Sequence, residues 1–482
     1  MALSTPKDPR LAPNILYAQR ANEWQFFLDS LVGGAQYLRG NYLFKHVKED
    51  ASDFKARNDR AVPSGHAGRV IEAYKSLISR KEVRREYAAN DDFNSFVLEN
   101  CDRHEHPLDW YVMEKVFPIT QAAGFSWVLV DMPVVPEGVT VRSQADEKAL
   151  ELNPYLVCYA PSSVVNWQFD DAGNLVFVTV RIPSGKVDPI SKKPSYWSKV
   201  WTQSDWRLYD EKYRVIGNGV HNLGVVPFVL CYNEYSLVDP YIGESAIKNI
   251  AYLNRRVFNI ESLIDEFRYK QCFNFLAIPD SLVPEDGNVT TGTGNAMPVR
   301  KGDIIPSYVS PPVDPAQFLR DSRDDDVWSI YDNAGLTRPD AQKTAEAKSG
   351  IALAYEFHNT NAMLVNKAKN LEAFEFGVSR IWERWKNVEV KYEVEYETDF
   401  DIRDVMSEIE KIERVIGMRL PSPTLKREYA RRQVSTVLPN LAEEIRTKIL
   451  AEIDAANFPE QGQGEQEGAF FSRFNAAQGA TA

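Results

Sequence analysis

The sequence predicts an α+β protein that combines long helices with a β-rich region, and three features support this. Glu244–Gln271 contains neither proline nor glycine, and its apolar residues recur near the helical period. A longer helical pattern starts at Ser349 and continues to Lys386. Residues 153–233 are rich in β-branched and aromatic residues between turn signals. We therefore expect a mainly antiparallel β unit followed by long helices.

Composition excludes several classes of protein. With 482 residues, 44% of them hydrophobic, the chain can bury a sizeable core and should contain more than one structural unit. Its formal charge of −12 disfavours a free-standing nucleic-acid binder, since phosphate contacts normally need a basic surface. No secretory leader or membrane span is recognisable, so we expect no membrane association. Four scattered cysteines are too few for a disulfide framework and should be reduced: Cys101, Cys158, Cys231 and Cys272.

The N-terminal part of the chain reads as helical. Gly68–Asn90 has apolar residues at helical spacing, and its basic run is interpreted as a solvated face made by Arg80, Lys81, Arg84 and Arg85. Asp109–Gly124 predicts a helix closed by its glycine, and residues 125–133 predict a buried strand ended by Pro133.

Beyond the first long helix, residues 273–314 are rich in Pro, Gly and Thr and suggest a small inserted unit with short strands. Pro315 opens a second helix, whose apolar stripe consists of Val327, Ile330, Tyr331 and Ala334. A polar loop leads to the longest helix, which Gly377 is expected to kink. The segment VEVKYEVEYET then predicts a half-exposed strand, two or three shorter helices fill residues 404–456, and the tail from Pro459 should be disordered.

Catalytic motifs are absent or incomplete. SGK at Ser184–Lys186 is followed by Val187 and lacks the Walker spacing and hydroxyl, and Gly292 and Gly294 do not complete a dinucleotide fingerprint. Neither HExxH nor GxSxG occurs. The segment CDRHEH, with Cys101, His104 and His106, lacks a fourth metal ligand and is interpreted as a polar turn.

The acidic run Asp324–Asp326 is the best candidate for a metal-dependent phosphoryl site, which needs converging carboxylates. Consecutive helical residues diverge by about 100° each, so a solvated or channel-facing acidic strip is favoured. We therefore expect no catalytic residue, no metal and no cofactor.

The order of these parts resembles the tailed-bacteriophage portal protein (head-to-tail connector) family. The matching segments are LGVVPFVLCYN, AYLNRRVFNIESLIDEFRYKQCFNFLAIP and, most specifically, SGIALAYEFHNTNAMLVNKAKNLEAFE, whose Ser-Gly falls at Ser349 and Gly350. The likeness covers roughly Leu108–Ala456.

This resemblance implies a portal fold with long stem and wing helices, a β-rich wing, a small α/β clip and a helical crown. Its implied parts are an N-terminal helical region and start of the wing (1–152), β-rich wing (153–243), first stem helix (244–272), clip (273–314), second stem helix (315–334), tunnel loop (335–348), long wing helix and strand (349–403), crown (404–456) and disordered tail (457–482).

The resemblance also implies a non-enzymatic role. The chain would form a dodecameric ring at a capsid vertex of the virion, assembled in the host cytoplasm, as the channel for double-stranded DNA packaging and ejection. Its expected partners are the terminase large subunit, a head–tail adaptor, and major capsid and scaffolding proteins. Implied DNA-contacting residues of the tunnel loop are Arg338, Lys343 and Lys348. Implied partner-binding residues of the clip are Glu285, Asp286, Arg300, Lys301 and Asp303.

Three alternatives remain open. The basic residues of the loop and the charges of the clip could be ordinary solvated side chains. The chain could be another head–tail structural protein, such as an adaptor or minor capsid protein. It could also be a metal-dependent nuclease that uses Asp324–Asp326.

Overall fold

The computed structural model describes most of the chain. The described residues are 8–133, 146, 150, 152–187, 194–271, 275–277, 307–309, 314–336, 350–398, six positions between 424 and 434, and 443–455. The chain divides into two units, residues 1–400 and residues 401–482.

The first unit is an α+β structure. Its helices are α1 (Ile15–Val32), α2 (Gly34–Arg39), α3 (Ala51–Arg60), α4 (His66–Ile78), α5 (Asp91–Leu98), α6 (Leu108–Tyr111, a π turn at Val112–Val116, and Phe117–Ala123), α7 (Lys248–Gln271), α8 (Asp314–Asn333) and α9 (Gly350–Lys386). The three predicted long helices are confirmed as α7, α8 and α9. Helix α7 begins four residues later than predicted, because Ser245 and its neighbours form the lead-in turn.

Each strand within the described part of the chain is paired antiparallel, and the predicted antiparallel β unit over residues 153–233 is confirmed. They are β1 (Arg84–Glu86), β2 (Phe125–Asp131), β3 (Tyr155–Tyr159), β4 (Val164–Phe169), β5 (Leu175–Val187), β6 (Pro194–Thr202), β7 (Asp205–Tyr209), β8 (Val215–Val220), β9 (Phe228–Tyr232), β10 (Phe275–Ala277), β11 (Ser307–Val309) and β12 (Glu393–Glu395). One sheet has the order β3-β2-β9 and another β4-β5-β6-β7-β8, while β1 pairs with β12 and β10 with β11.

Two apolar clusters hold this unit together. The larger one joins the helices to the three-stranded sheet and includes Val128, Phe258, Ile330 and Trp382. The smaller one lies between the two larger sheets and is built on Trp127, Trp167, Trp201 and Phe228. Large aromatic side chains bury much apolar area per residue, so these rings contribute strongly to the stability of the β region.

Helix α9 crosses the first unit and buries one apolar stripe in the larger cluster. Residues of the stripe are Leu364, Ala368, Leu371, Phe374, Val378 and Trp382. The helix continues through Gly377, where an added Cβ would lie 2.8 Å from Cγ1 of Val229. Glycine at this position lets the helix approach β9 closely.

The N-terminal region departs from the prediction. The helix expected over Gly68–Asn90 ends at Ile78, and Arg84–Glu86 forms a strand instead. That strand pairs with Glu393–Glu395. These three residues are the part of the predicted strand VEVKYEVEYET that the structure assigns as a strand. A pairing partner about 300 residues away in sequence leaves no trace in local periodicity.

In the second unit the structure describes helix α10 (Glu443–Ala455), which falls within the predicted helical stretch 404–456. Arg431 forms ion pairs with Glu428 and Asp454 there. Among the described residues of the whole chain, no helix is both long and apolar enough to span a membrane.

Candidate functional site: a helical hairpin on a buried polar root

Helices α7 and α8 form an antiparallel hairpin. In sequence, the paired strands β10 and β11 lie between the C-terminal end of α7 and the N-terminal end of α8. Val257 of α7 and Val327 and Ile330 of α8 belong to the large apolar cluster, so the inner faces of both helices are buried. The predicted stripe of α8, including Tyr331 and Ala334, is confirmed as this buried face.

An ion pair joins the two helices. The Arg256 guanidinium donates to both carboxylate oxygens of Asp326, with 2.6 Å from Nε to Oδ2. The Asp326 side chain is 8% exposed and the Arg256 side chain 60%. This bidentate contact restricts the placement of α7 against α8, because two parallel hydrogen bonds between a guanidinium and a carboxylate add geometric specificity.

The pair also corrects the interpretation of the acidic run. Asp326 is buried against Arg256 and is not part of a solvated strip, whereas Asp324 pairs with Arg323 and Asp325 is exposed. The three carboxylates therefore diverge around the helix, which removes the geometry that two-metal chemistry requires. Among the described residues, no group of three or more His, Cys, Asp or Glu side chains could hold a metal ion.

The outer face of α8 carries a regular stripe, which we call the α8 seam. Its members follow one another at spacings of four and three residues and are Asp314, Phe318, Asp321, Asp325, Trp328 and Asp332. Such spacing places residues on one face of a helix. All six are exposed, and Phe318 and Trp328 retain 69% and 57% of their accessible surface.

A buried polar junction forms the root of the hairpin. Lys367 of α9 is 3% exposed, and its Nζ donates to the side-chain oxygens of Gln121, at 2.6 Å, and Asn233. Burial lowers the pKa of Lys367 to about 8. Asn233 in turn donates through Nδ2 to the carbonyl of Glu244 at 2.8 Å. The junction thus connects α6, β9, α9 and the lead-in to α7.

Two glycines bring backbones together beside this junction. Gly124 caps α6 with φ +93°, a conformation that residues with a side chain rarely adopt. A Cβ added to Gly243, just before α7, would lie 2.1 Å from the carbonyl oxygen of Gly124. The predicted closure of the helix at Gly124 is confirmed, and the close approach explains why glycine is needed on both sides.

A second buried cation anchors the turn before α3 to the flank of α7. Arg57 is 3% exposed and pairs with Glu49 at 2.7 Å. It also donates to Oγ of Ser262 and to the carbonyl of Phe44, at 2.7 and 2.8 Å. Hydrogen bonding to Arg57 lowers the pKa of Glu49 to about 2.

The CDRHEH segment forms the polar turn that was predicted. Asp102 accepts a hydrogen bond from the backbone N–H of His104 at 3.0 Å and lies 2.9 Å from Nδ1 of His106. The His106 ring stacks on Trp110 with centroids 3.7 Å apart. Cys101 is buried, and burial raises the pKa of its thiol.

The residues that the sequence nominated for DNA and partner contact lie outside the described residues. These are Arg338, Lys343 and Lys348 of the predicted polar loop, and Glu285, Asp286, Arg300, Lys301 and Asp303 of the predicted inserted unit. Sequence reasoning missed Arg57 and Lys367, because an isolated cation in a helical pattern gives no sign that it is buried.

No family model matches the chain, and no curated protein matches it. Among solved structures, a chain of "Virion of native gene transfer agent (GTA) particle" is 10% identical, with a TM-score of 0.39, over 88% of this chain and 98% of that one. A chain of "Neck of empty GTA particle computed with C6 symmetry" is 8% identical, with a TM-score of 0.41, over 89% and 100%. A chain of "Neck of native GTA particle computed with C12 symmetry" is 11% identical, with a TM-score of 0.36, over 82% and 90%. Likeness at this level assigns neither a fold nor a function.

Proposed function

We propose that this chain is a structural portal subunit. Twelve copies would form a ring at a capsid vertex, as the channel for packaging and ejecting double-stranded DNA. The ring would also be the docking platform for the terminase and the head–tail adaptor. The observation that carries the proposal is the antiparallel hairpin of α7 and α8. In the sequence, this hairpin follows the β-rich region and precedes the long helix α9. This order of elements is the one on which the sequence resemblance to portal proteins rests.

Charge supports a conduit in preference to a tight DNA binder. Twelve copies at −12 each give a ring charge of roughly −144 before counterions. An acidic wall repels phosphates and keeps a duplex centred, whereas a strongly basic channel would hold the DNA and stall its movement. The few cations of the polar loop, Arg338, Lys343 and Lys348, would then make transient contacts with the DNA.

The alternative functions fit less well. A nuclease that used Asp324–Asp326 would need converging carboxylates, and Asp326 is engaged with Arg256. An adaptor or minor capsid protein would also lack catalytic motifs, but the length of the chain and its helical hairpin favour the portal role.

The first test is to purify the full chain and average end-on views by negative-stain electron microscopy. A ring of about twelve subunits with a hole of roughly 20–40 Å would support the proposal, since a duplex whose major groove alone spans about 12 Å must pass. Monomers or compact dimers at every protein concentration would overturn it.

A second test addresses the polar loop. Replacing Arg338, Lys343 and Lys348 with alanine should leave ring formation intact and reduce DNA packaging and retention. Unchanged packaging and retention would remove these residues from the channel contact.

A further inference from the structure

The α8 seam has the chemistry of a buried helix interface but is exposed in the single chain. Four aspartates and two large aromatic side chains follow one another along the seam at the spacing of a helix–helix contact. Phe318 and Trp328 together leave much apolar area in water, which is a usual sign of an interaction surface. A partner for this seam must supply both apolar groups and positive charge.

A complementary surface exists on the same chain. Residues 44–48 form a turn before α3, which we call the basic loop: Phe44, Lys45, His46, Val47 and Lys48. All five residues are exposed, with Phe44 at 59% and Val47 at 98%. Lys45 and Lys48 lie beside the exposed apolar residues Phe44 and Val47, and this combination of positive charge and apolar surface complements the aspartates and aromatic residues of the α8 seam.

The basic loop is held in a fixed conformation. The backbone N–H of Phe44 donates to Oδ1 of Asn259 at 2.7 Å, and Arg57 binds the Phe44 carbonyl. Glu49 closes the turn by accepting from the backbone N–H of His46 at 3.0 Å. A turn that is already ordered loses little entropy on binding, so it is suited to docking.

The loop and the seam lie at the same height along the hairpin. Arg256 is level with Asp326, and Asn259 lies three residues further along α7, about 4.5 Å towards the end of the hairpin. On the antiparallel helix α8 that height falls near residue 323, between Asp321 and Asp325. The basic loop, anchored at Asn259, is therefore level with the middle of the seam.

They also lie on different sides of the hairpin. Asn259, which binds the loop directly, and Ser262, which binds Arg57, are three and six residues from Arg256, and so about 60° and 120° away from it on the same side of α7. The loop is thus fixed to a flank of α7 that does not face α8, while the seam faces away from the buried side of α8. Head-to-tail assembly requires two complementary surfaces on different sides of one subunit, and it gives a ring when the rotation between copies closes without a rise. Surfaces at one height along the hairpin are consistent with such closure.

We propose that the basic loop of one copy docks on the α8 seam of the next copy. Lys45 and Lys48 would lie against Asp321 and Asp325, while Phe44 and Val47 would cover Phe318 and Trp328. This inference rests on the proposed ring and names the contact that closes it.

Two charge-reversed proteins test the contact. One carries Lys45→Glu and Lys48→Glu, and the other carries Asp321→Lys and Asp325→Lys, both in the full chain. Mass photometry and negative-stain microscopy would measure the fraction assembled into rings. For each charge-reversed protein alone, the fraction assembled into rings should fall at least tenfold, because every interface then joins like charges. An equimolar mixture should regain rings, since alternating copies restore opposite charges at every interface.

The matched control combines Lys212→Glu and Asp171→Lys, which reverse exposed charges in turns of the five-stranded sheet. It should assemble like the unmodified chain. Far-UV circular dichroism and thermal melts of each variant must match the unmodified chain, so that loss of rings is not loss of fold.

The outcomes separate this inference from the proposed function. If the unmodified chain forms rings and both charge-reversed proteins do so equally well, the docking contact is overturned and the ring remains. Folded variants that stay unassembled in the mixture would also overturn the pairing. If the lysine variant assembles normally but no longer retains DNA, the loop contacts DNA and the contact is again overturned. An unmodified chain that never forms rings overturns both proposals.

Discussion

Arg85 of β1 and Glu375 of α9 form a two-pronged ion pair in the interior of the first unit. Nε of Arg85 lies 2.9 Å from Oε2 of Glu375, and Nη2 lies 2.8 Å from Oε1. The Glu375 side chain is completely buried. The hydroxyls of Tyr392 and Tyr396 donate to the same carboxylate. The contact attaches the strand pair β1–β12 to the long helix, and it corrects the interpretation of Arg85 as part of a solvated basic face.

Replacing Arg85 with alanine should therefore destabilise the protein by about 3–5 kcal/mol, because it leaves a buried carboxylate without its cation. The free energy of unfolding from urea titration measures the effect. Arg84 in the same strand provides a matched control: its side chain is 71% exposed and pairs with Glu86 and Glu395. Arg84→Ala should cost less than about 1 kcal/mol. Equal losses in the two variants would contradict the assignment.

Lys367 should make stability increase with pH in the alkaline range. Its pKa is about 8 in the folded protein, against an ordinary value of 10.5. Between these values the unfolded chain binds more protons than the folded one, so the free energy of unfolding rises with pH, by at most about 1.4 kcal/mol per unit. Below pH 8 both states are protonated and this contribution no longer changes.

The measurement compares the unmodified chain with Lys367→Met from pH 7 to pH 10.5, so that the titration of other groups cancels. Above pH 8, the free energy of unfolding of the unmodified chain should rise relative to that of Lys367→Met. Lys369→Met, at an exposed position two residues further along α9, should show no such trend. A difference that stays constant with pH would show that Lys367 is not buried as described.

The sequence predicted the elements whose signals are local. Glu244–Gln271 contains neither proline nor glycine, Ser349–Lys386 contains no proline, and both have a clear apolar period. The structure has helices at Lys248–Gln271 and Gly350–Lys386. Gly124 was recognised as a helix end because a left-handed glycine is a local requirement.

Contacts between distant segments could not be predicted in this way. Whether Arg85 is solvated or buried depends on Glu375, and the location of Asp326 depends on Arg256 seventy residues earlier. The helical period correctly predicted that the three carboxylates of Asp324–Asp326 point in different directions. It could not predict which of the three is buried. The basic loop was not recognised, because five exposed residues without a period look like any turn.

Gly243→Ala should destabilise the root of the hairpin. The new Cβ would lie 2.1 Å from the Gly124 carbonyl oxygen and 2.6 Å from its carbon, so one backbone must move. Overpacking of this kind typically costs about 1–3 kcal/mol. Thermal unfolding measures the loss. Gly65→Ala is the control, because no atom lies within 4 Å of its added Cβ and its φ is ordinary. A Gly243 variant as stable as the control would contradict the close approach.

The unmodified chain should be more stable to unfolding than Glu49→Gln at neutral pH, and this difference in stability should disappear in acid. Hydrogen bonds from Arg57 lower the pKa of Glu49 to about 2, below its ordinary value of 4.5. A depressed pKa contributes stability that is fully present above pH 4.5 and disappears as pH falls through 2, because the unfolded chain takes up the proton first. Urea titrations at pH 6, 4, 3 and 2 would follow the difference between the two proteins. Asp50→Asn, which alters the exposed neighbouring carboxylate, should not reproduce it. Since Glu49 and Arg57 together fix the basic loop, a pH-independent difference would contradict both the ion pair and the ordered conformation on which the docking contact depends.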